Sequence, residues 1–501
     1  MKKVVIIGAG IGGLASAIRF AKKGYQVEVF EASNSIGGKI KEIKAQGFRF
    51  DSGPSLFTMP ELVNELIHLG GKTPKTYFSY FKLKKNCIYF FEDGTKITGY
   101  SNLKKFAMEV FKKTKTPAKY IFKHLKKSKF IYNATKFIFL EQSLHKISTY
   151  VSFNTLVSFL KIPFLNIFKS MNSVNKKTLK NKKIVQLFNR YATYNGSNPY
   201  EAPGVLNIIP HLEFNQGVYF PKKGMVSIPK TLYNICKDLG VVFHLKSSVD
   251  KIKVVNNQIK GIVSLGQFHK VNTIVCNIDV YFVYKNLLPK KFYFKKHLLQ
   301  ERSSSAIIFY WGIRKKFKKL DLHNIFFSKN YQLEFEQIFR KKTIPDDPTI
   351  YINITSKYKP DDAPNNCENW FVMINVPPNT GQNWRALVKL AKKNIIKKLN
   401  NMLDESIQDL IVFEKTLDPI KIEKNTGAYQ GSLYGSSSNN KMSAFFRHSN
   451  FSTKITNLYF CGGSVHPGGG IPLAISSAKI IDRYINLQSA WDLRELRACE
   501  N

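Results

Sequence analysis

The chain has 501 residues, of which 44% are hydrophobic, and its formal net charge at pH 7 is +43. This length allows two or three domains with a large buried core. So strong a positive charge favours an anionic partner, either a nucleic acid or a lipid headgroup surface, unless the lysines only form a solvated surface. Because no RNA-binding signature or zinc-finger spacing accompanies the charge, we expect a membrane surface and no nucleic acid.

The cysteines and histidines exclude two further classes of protein. Six cysteines and ten histidines are scattered without the paired spacing of a disulfide framework or a metal cluster. We therefore expect a reducing compartment and no metal. The first residues lack the pattern of a signal peptide, and the most apolar stretch, residues 150–168, is interrupted by Lys161 and Pro163. Together these features predict a cytoplasmic protein that associates peripherally with the inner face of the cell membrane.

The first 32 residues predict a strand, a tight turn, a helix and a second strand. The apolar run "VVII" is typical of a buried parallel strand. Gly8, Gly10 and Gly13 then form G-x-G-x-x-G, which allows the turn, the close approach of a pyrophosphate and the packing of the helix. Glu31 ends the second strand, where a carboxylate accepts hydrogen bonds from ribose hydroxyls. This combination predicts a dinucleotide site.

A second glycine pair follows directly in "EASNSIGGKI". Gly37, Gly38 and Lys39 resemble the extended FAD signature of the amine-oxidase-like flavoproteins, although a simple surface turn would also explain them.

The rest of the chain alternates between two kinds of sequence. Residues 55–75 look helical, residues 77–101 contain short aromatic strands, and residues 104–195 are helical, basic and aromatic. A helix, a strand, a hairpin around "NNQIKG" and an apolar strand are predicted within 217–279. Further strands of a mostly antiparallel sheet are predicted at 303–313, 349–355, 368–376 and 411–417, with a helix at 384–403.

This alternation predicts an α/β fold, α+β overall, with interleaved domains. We expect a Rossmann-like FAD-binding domain made of residues 1–75, 205–285 and 415–490. The expected antiparallel-sheet substrate domain comprises residues 76–204 and 286–414, including a helical, basic membrane-contact subdomain at about 103–180. The tail at 489–501 lacks lysine, unlike the rest of the chain, and is left out of the fold prediction.

Several longer stretches resemble the phytoene desaturase family of bacterial carotenoid enzymes. They are "FDSGPSLFTMP" (50–60), "RYATYNGSNPYEAPGVLNIIPHLE" (190–213), "GVYFPKKGMVSIPKTL" (217–232) and "NLYFCGGSVHPGGGIPLAISSAKI" (457–480). The resemblance extends from Lys2 to about Ile485. The motifs "GGSVHPGGGIPL" and "RYATYNGSNPY" are most similar to the branch of 1-hydroxycarotenoid 3,4-desaturases.

This resemblance implies an FAD-dependent desaturase that passes hydride from an acyclic, 1-hydroxylated carotenoid to flavin N5, with oxygen or a quinone as the final electron acceptor. A desaturase of the phytoene or lycopene type and an isomerase or saturase of the same family stay open as alternatives. A non-enzymatic lipid-binding protein, like the Rab GDP-dissociation inhibitors, and a soluble amine oxidase are more distant ones. Tyr310, Trp311, Trp370 and Phe371 are candidates for the wall of a substrate tunnel, with ordinary core packing as the other interpretation.

The resemblance also implies which residues contact FAD. The second glycine loop would run beside the ribityl–phosphate side and then the isoalloxazine, at the start of a helix whose dipole favours the anionic reduced flavin. The residues expected to bind the cofactor are Gly8, Gly10, Gly12, Gly13, Glu31, Gly38, Lys39, Gly53, Pro54, Ser55, Val249, Gly462, Gly463, Ser464, Gly470, Ile471 and Pro472.

Two residues are candidates for a catalytic base. Asp279 and His466 lie in motifs that are close to the flavin in the family. The alternative for Asp279 is a capping or cofactor-positioning role, and the alternative for His466 is a hydrogen bond that stabilises a turn.

Overall fold

The structure is a computed structural model that describes residues 2–150, 161, 164–293, 300–440 and 447–499. Its strands are β1 Lys3–Ile7, β2 Gln26–Phe30, β3 Lys41–Ala45, β4 Phe48–Ser52, β5 Tyr80–Lys82, β6 Lys85–Phe90, β7 Lys96–Tyr100, β8 Tyr219–Pro221, β9 Val242–His244, β10 Val249–Val255, β11 Gln258–Ser264, β12 Gln267–Lys270, β13 Ile274–Cys276, β14 Ser305–Ile313, β15 His323–Phe326, β16 Ile350–Ile354, β17 Glu368–Val376, β18 Ile411–Leu417 and β19 Leu458–Phe460.

Helices flank the strands along the whole described chain. The α-helices are α1 Ile11–Lys22, α2 Glu61–Leu69, α3 Pro74–Tyr77, α4 Leu103–Thr114, α5 Ala118–Glu141, α6 Ile147–Tyr150, α7 Met171–Leu179, α8 Lys182–Asn189, α9 Ser227–Asp238, α10 Val280–Phe282, α11 Tyr331–Phe339, α12 Trp384–Leu403, α13 Ile407–Leu410, α14 Pro419–Thr426 and α15 Ile471–Cys499. Shorter 3₁₀ and π segments lie at Arg190–Asn195, Gly204–Ile208, His211–Gln216, Val283–Leu287, Lys290–Phe292, Thr355–Lys357, Pro360–Asp362 and Tyr429–Gly431.

A five-stranded parallel sheet forms the first core. Its strand order is β19-β13-β1-β2-β9, so strands from three separate parts of the sequence lie side by side. The middle strand β1 is apolar because both faces of the sheet are covered. Helices α9 and α15 pack on α1 over one face. The carboxyl ends of β1, β13 and β19 therefore meet at one edge, where the glycine loops begin.

A seven-stranded sheet forms the second core, in the order β18-β14-β17-β16-β15-β6-β7. Every neighbouring pair is antiparallel except β6 and β15, which are parallel. On one face, Phe309, Trp311 and Trp370 pack in the cluster that includes the apolar side of α12. On the other face, Tyr310 and Phe371 pack under the β3–β4 hairpin. The predicted α/β fold, α+β overall, is confirmed by the parallel first sheet together with the mostly antiparallel second sheet.

The helical region covers the far end of the second sheet. Helix α5 buries Ile121, Leu125 and Ile131 and leaves its opposite side exposed. Helices α4, α7 and α8 add to the same buried cluster, which extends to β6 and β15. The prediction of a helical segment agrees with this region, although residues 151–160 and 162–163 lie outside the described residues. Across the described segments, no helix has both the length and the apolar character that crossing a membrane requires.

The last helix, α15, continues from Ile471 to Cys499. The backbone of residues 489–499 is therefore part of a helix that begins at the second glycine loop.

The buried His124 should make the free energy of unfolding depend on pH. Both ring nitrogens of His124 lack a hydrogen-bond partner among the described residues, and burial lowers its pKa to about 3. In an unfolded chain a histidine titrates near pH 6.5. The unfolded state therefore binds a proton that the folded state excludes, so stability is full above about pH 6.5 and is lost as the pH falls toward 3.

We expect His124→Leu to stabilise the protein more at pH 5.5 than at pH 7.5, with a difference of about 1 kcal/mol in the free energy of unfolding. Urea unfolding at the two pH values measures this difference. The matched control is His68→Leu, since His68 is exposed on α2. An equal effect of His124→Leu at both pH values would show that His124 does not resist protonation.

Candidate functional site

The first glycine loop leaves no room for side chains. A Cβ on Gly13 would lie 2.1 Å from the carbonyl oxygen of Gly8, and Gly8 itself has φ +98°. Both positions therefore need glycine to keep α1 against the turn. The loop ends at the positive terminus of α1, where backbone N–H groups favour a phosphate.

Asn277 joins the two glycine loops, and the sequence analysis did not single it out. It follows β13 directly, and its Nδ2 donates to the Gly8 carbonyl at 3.1 Å. A Cβ on Gly12 would lie 2.6 Å from Asn277 Oδ1 and 3.0 Å from the Gly462 nitrogen. The two loops therefore touch through glycine backbone. Its position as a polar residue directly after a buried parallel strand is the signal that could have identified Asn277.

Glu31 lies at the end of β2, against the first loop. Its Oε2 accepts from the Ala9 nitrogen at 2.7 Å, and its Oε1 accepts from the Ser33 nitrogen at 2.9 Å. The carboxylate is thus fixed at the carboxyl edge of the sheet, the place where a ribose is held in this type of fold.

The second glycine pair packs on the first loop, which excludes a simple surface turn. The Gly37 nitrogen donates to the Ala9 carbonyl at 2.9 Å, and a Cβ on Gly38 would lie 3.1 Å from the Gly10 Cα. Lys39 then extends toward the second sheet, where its Nζ donates to the Leu433 carbonyl at 2.8 Å. Burial lowers the pKa of Lys39 to about 8, although the Asp279 carboxylate opposes the shift.

Gly53, Pro54 and Ser55 continue this path toward the second sheet. A Cβ on Gly53 would lie 2.0 Å from the Lys39 carbonyl oxygen, so the loop after β4 packs on the backbone of Lys39. Ser55 Oγ is 2.7 Å from the hydroxyl of Tyr351 on β16. Val249, by contrast, begins β10 and packs in the buried cluster below β1.

The second glycine loop connects β19 to α15. The Gly462 nitrogen donates to Ser477 Oγ at 2.9 Å, and Ser464 Oγ accepts from the Val280 nitrogen at 3.1 Å. Gly470 has φ +114°, and no atom of the described residues lies within 4 Å of where its Cβ would be. Ile471 and Pro472 open α15, where proline is favoured because its missing N–H is not needed. Open space beside a bare backbone at a helix start suits a flat, electron-accepting ring.

Asp279 is held by three groups of the protein. Its carboxylate accepts from the backbone nitrogens of Tyr281 at 3.0 Å and Tyr429 at 3.2 Å, and it forms an ion pair with Arg302 at 3.4 Å. The Arg302 guanidinium also lies over the Tyr429 ring, which stacks on Tyr281. These contacts fit the capping and positioning alternative, and a catalytic role for Asp279 stays a prediction.

His466 is buried at the turn of the second loop. Its Nε2 is 3.0 Å from the carbonyl oxygen of Gln142, at the end of the helical region. Burial lowers the pKa of His466 to about 3, so the ring is neutral and donates from Nε2. This contact fits the turn-stabilising alternative, and a role as base stays a prediction.

Arg447 is a second residue that the sequence analysis missed. Its guanidinium is buried beside Gly468, where it donates to the carbonyl oxygens of Tyr434 at 3.2 Å and Ser436 at 2.9 Å, and to Asn195 Oδ1 at 3.0 Å. Burial lowers the pKa of Arg447 to about 10, which still leaves it positive at neutral pH. The second loop therefore carries a buried positive charge, and no motif in the sequence indicated it.

The site and fold have known counterparts. A family model described as flavin containing amine oxidoreductase matches residues 11–481. The chain is 51% identical over 480 residues to a 1-hydroxycarotenoid 3,4-desaturase from Flavobacterium sp. (strain P99-3), which covers 96% of this chain and 98% of that protein. It is 30% identical over 501 residues to a 4,4′-diaponeurosporene oxygenase from Staphylococcus aureus (strain MW2), covering 98% and 99%.

Two solved structures share the fold at low sequence identity. An oxidoreductase from Methanosarcina mazei aligns with a TM-score of 0.63 at 15% identity, covering 96% of this chain and 99% of the other. Putrescine oxidase bound to putrescine aligns with a TM-score of 0.62 at 12% identity, covering 97% and 99%. At this identity the two structures support the architecture alone.

The first loop yields a direct test of flavin binding. Gly13→Ala should abolish flavin retention, because the new Cβ forces α1 away from the Gly8 carbonyl. The flavin content of the purified protein, read from its absorption spectrum, measures this. The control is Ala21→Gly in the same helix, which costs about 0.5–1 kcal/mol of helix stability but leaves the turn intact and should keep its flavin. Equal flavin content in the two variants would contradict the role given to this loop.

Proposed function

Because the chain belongs to the flavin-containing amine oxidoreductase family, we propose that it is an FAD-dependent desaturase that introduces the 3,4 double bond into an acyclic, 1-hydroxylated carotenoid. The observation that carries the proposal is the 51% identity, over 96% of the chain, to a 1-hydroxycarotenoid 3,4-desaturase. The expected FAD cofactor and the resemblance to the carotenoid desaturases are confirmed by these matches.

The chemistry needs a cofactor, since protein side chains cannot accept a hydride. FAD, when bound, would supply the hydride acceptor, and the second hydrogen would leave the substrate as a proton, for which Asp279 and His466 are the candidate bases. The backbone of the two glycine loops and the Glu31 carboxylate would hold the cofactor, and Asn277 keeps the loops in contact. The buried Arg447 and the start of α15 place positive charge at the second loop, which stabilises negative charge formed there.

We propose that a long polyene lies on the partly accessible face of the second sheet around Tyr351 and Met373, which we call the cleft. Tyr351 on the central strand β16 lies opposite Met373 on the neighbouring strand β17. Both residues keep part of their surface accessible. The neighbouring aromatic Tyr310 is instead 1% exposed under the β3–β4 hairpin. All four aromatic residues suggested for a tunnel wall are buried core residues: Tyr310, Trp311, Trp370 and Phe371. The partly accessible face lies between the hairpin and the helical region.

The reaction can be tested by expressing the chain in cells that supply acyclic carotenoids with and without a hydroxyl group at C1. Chromatography with mass detection should show a product that has lost two hydrogens, with its absorption shifted to longer wavelength. A gain of oxygen would instead support the oxygenase reaction, which the 30% identity to 4,4′-diaponeurosporene oxygenase favours. A product of unchanged mass would indicate an isomerase, and a gain of two hydrogens a saturase.

We further propose that the helical region lies on the membrane that holds the substrate. Large apolar side chains are exposed there, led by Phe168 at 72%, Phe164 at 63% and Met108 at 62%. On α5, the exposed side repeats lysine and phenylalanine at helical spacing: Lys119, Phe122, Lys123, Lys126, Lys129, Phe130 and Lys136. Lysine stems beside phenylalanine rings suit an anionic headgroup layer over an apolar interior.

We propose that the protein associates through this surface with the inner face of the cell membrane. A membrane quinone or oxygen then takes the electrons from the reduced cofactor. A solvated lysine surface remains the competing interpretation, and liposome binding separates the two.

The pair Lys123→Glu and Lys126→Glu should lower flotation with anionic liposomes severalfold, since each charged contact near an anionic surface contributes about 1 kcal/mol. The matched control pair, Lys389→Glu and Lys393→Glu, changes the same charge on exposed positions of α12. If both pairs lose flotation equally, net charge rather than this surface directs binding. If neither pair changes flotation, the proposed contact is wrong.

A further inference from the structure

The position of the hydroxyl group in the proposed substrate sets a geometric requirement. A bond between C3 and C4 is separated from the hydroxyl-bearing C1 by C2 alone. When that bond lies at the flavin, the hydroxyl group must lie close to the flavin as well. An unpaired hydroxyl in an apolar cleft costs free energy, so a site that selects this substrate needs a polar partner there.

Three side chains form a polar relay from the cofactor loops into the cleft. Ser55 Oγ, two residues after Gly53, is 2.7 Å from the Tyr351 hydroxyl. The same hydroxyl is 2.7 Å from His323 Nδ1 on the neighbouring strand β15. The relay therefore joins the loop that packs on Lys39 to the middle of the second sheet.

The hydrogen positions in the relay follow from Asn353. Its Nδ2 donates to the Leu322 carbonyl at 3.1 Å and faces His323 Nδ1 at 3.2 Å. Nδ1 is thus an acceptor, and its one lone pair is shared by the Asn353 amide and the Tyr351 hydroxyl, which donates its hydrogen to it. The ring hydrogen of His323 then lies on Nε2, which has no hydrogen-bond partner among the described residues although His323 is only 3% exposed.

The relay has unused hydrogen-bonding capacity but no charge. The Tyr351 oxygen, which takes one hydrogen bond from Ser55, has a further lone pair, and Tyr351 keeps part of its surface accessible in the cleft. Burial raises the pKa of Tyr351 and lowers that of His323 to about 3, so both are neutral near pH 7. A neutral acceptor suits a hydroxyl group on a hydrocarbon.

We propose that Tyr351, oriented by Ser55 and His323, accepts a hydrogen bond from the C1 hydroxyl of the substrate and makes the enzyme selective for hydroxylated carotenoids. This inference rests on the proposed function and names the residues that decide its substrate class. Tyr351 is a specificity-determining residue, while Ser55 and His323 position its hydroxyl.

The test compares Tyr351→Phe with Tyr310→Phe. Tyr310 makes a similar contact, 2.9 Å from Ser52 Oγ, but it is buried under the hairpin. For each protein, kcat/KM is measured with a C1-hydroxylated acyclic carotenoid and with the same carotenoid lacking the hydroxyl group. Tyr351→Phe should lower the preference for the hydroxylated substrate about tenfold, the effect of one lost hydrogen bond. Tyr310→Phe should leave this preference unchanged.

An unchanged preference in Tyr351→Phe, with both rates falling together, would overturn the inference and leave Tyr351 a structural residue. If Tyr351→Phe does not fold, Ser55→Ala provides the second test and should lower the same preference in the same direction. A preference that Ser55→Ala leaves unchanged would then overturn the inference. If the unmodified protein converts neither carotenoid, the proposed function itself is wrong, which distinguishes that failure from the failure of the hydroxyl contact.

Discussion

The contact between two glycine loops is the constraint on which the rest of the structure depends. Gly12 and Gly462 come from opposite ends of the sequence, and no side chain fits between them. Asn277 closes this contact from a third strand of the same sheet. Three separate segments of the chain meet at this edge of the parallel sheet. The sheet is therefore complete only when the last of them, β19, has joined it. One extended cofactor then explains why two such loops are needed, since one loop reaches only one end of FAD.

Side chains next to that edge connect the first sheet to the second. Lys39 and Ser55 connect the glycine loops to the second sheet, and Tyr351 on that sheet packs against the helical region. The buried Arg447 sits at the second loop, while the neutral relay of Tyr351 and His323 faces the cleft. In the reaction we propose, the charge lies where the electrons arrive, and the uncharged groups lie beside the polyene.

Local features of the sequence predicted local structure well. The glycine spacing indicated the turn of the first loop, and the strand and helix predictions at 368–376, 411–417 and 384–403 match β17, β18 and α12. The long-range features were harder to predict. Trp311 and Trp370 looked like tunnel residues because sequence does not tell which face of a buried strand meets the substrate. Arg447 acts only through contacts made across the fold, so no local pattern distinguished it, and Asn277 was marked only by its position directly after a buried strand.

We propose that a single bound flavin oxidises a carotenoid held in this cleft, and an anaerobic mixing experiment tests this directly. Purified flavoprotein is mixed anaerobically with a C1-hydroxylated acyclic carotenoid while the flavin and polyene absorptions are followed together. We expect one flavin to be reduced for each double bond formed, and no product to form once all the flavin is reduced. A double bond that forms without loss of oxidised flavin would contradict it.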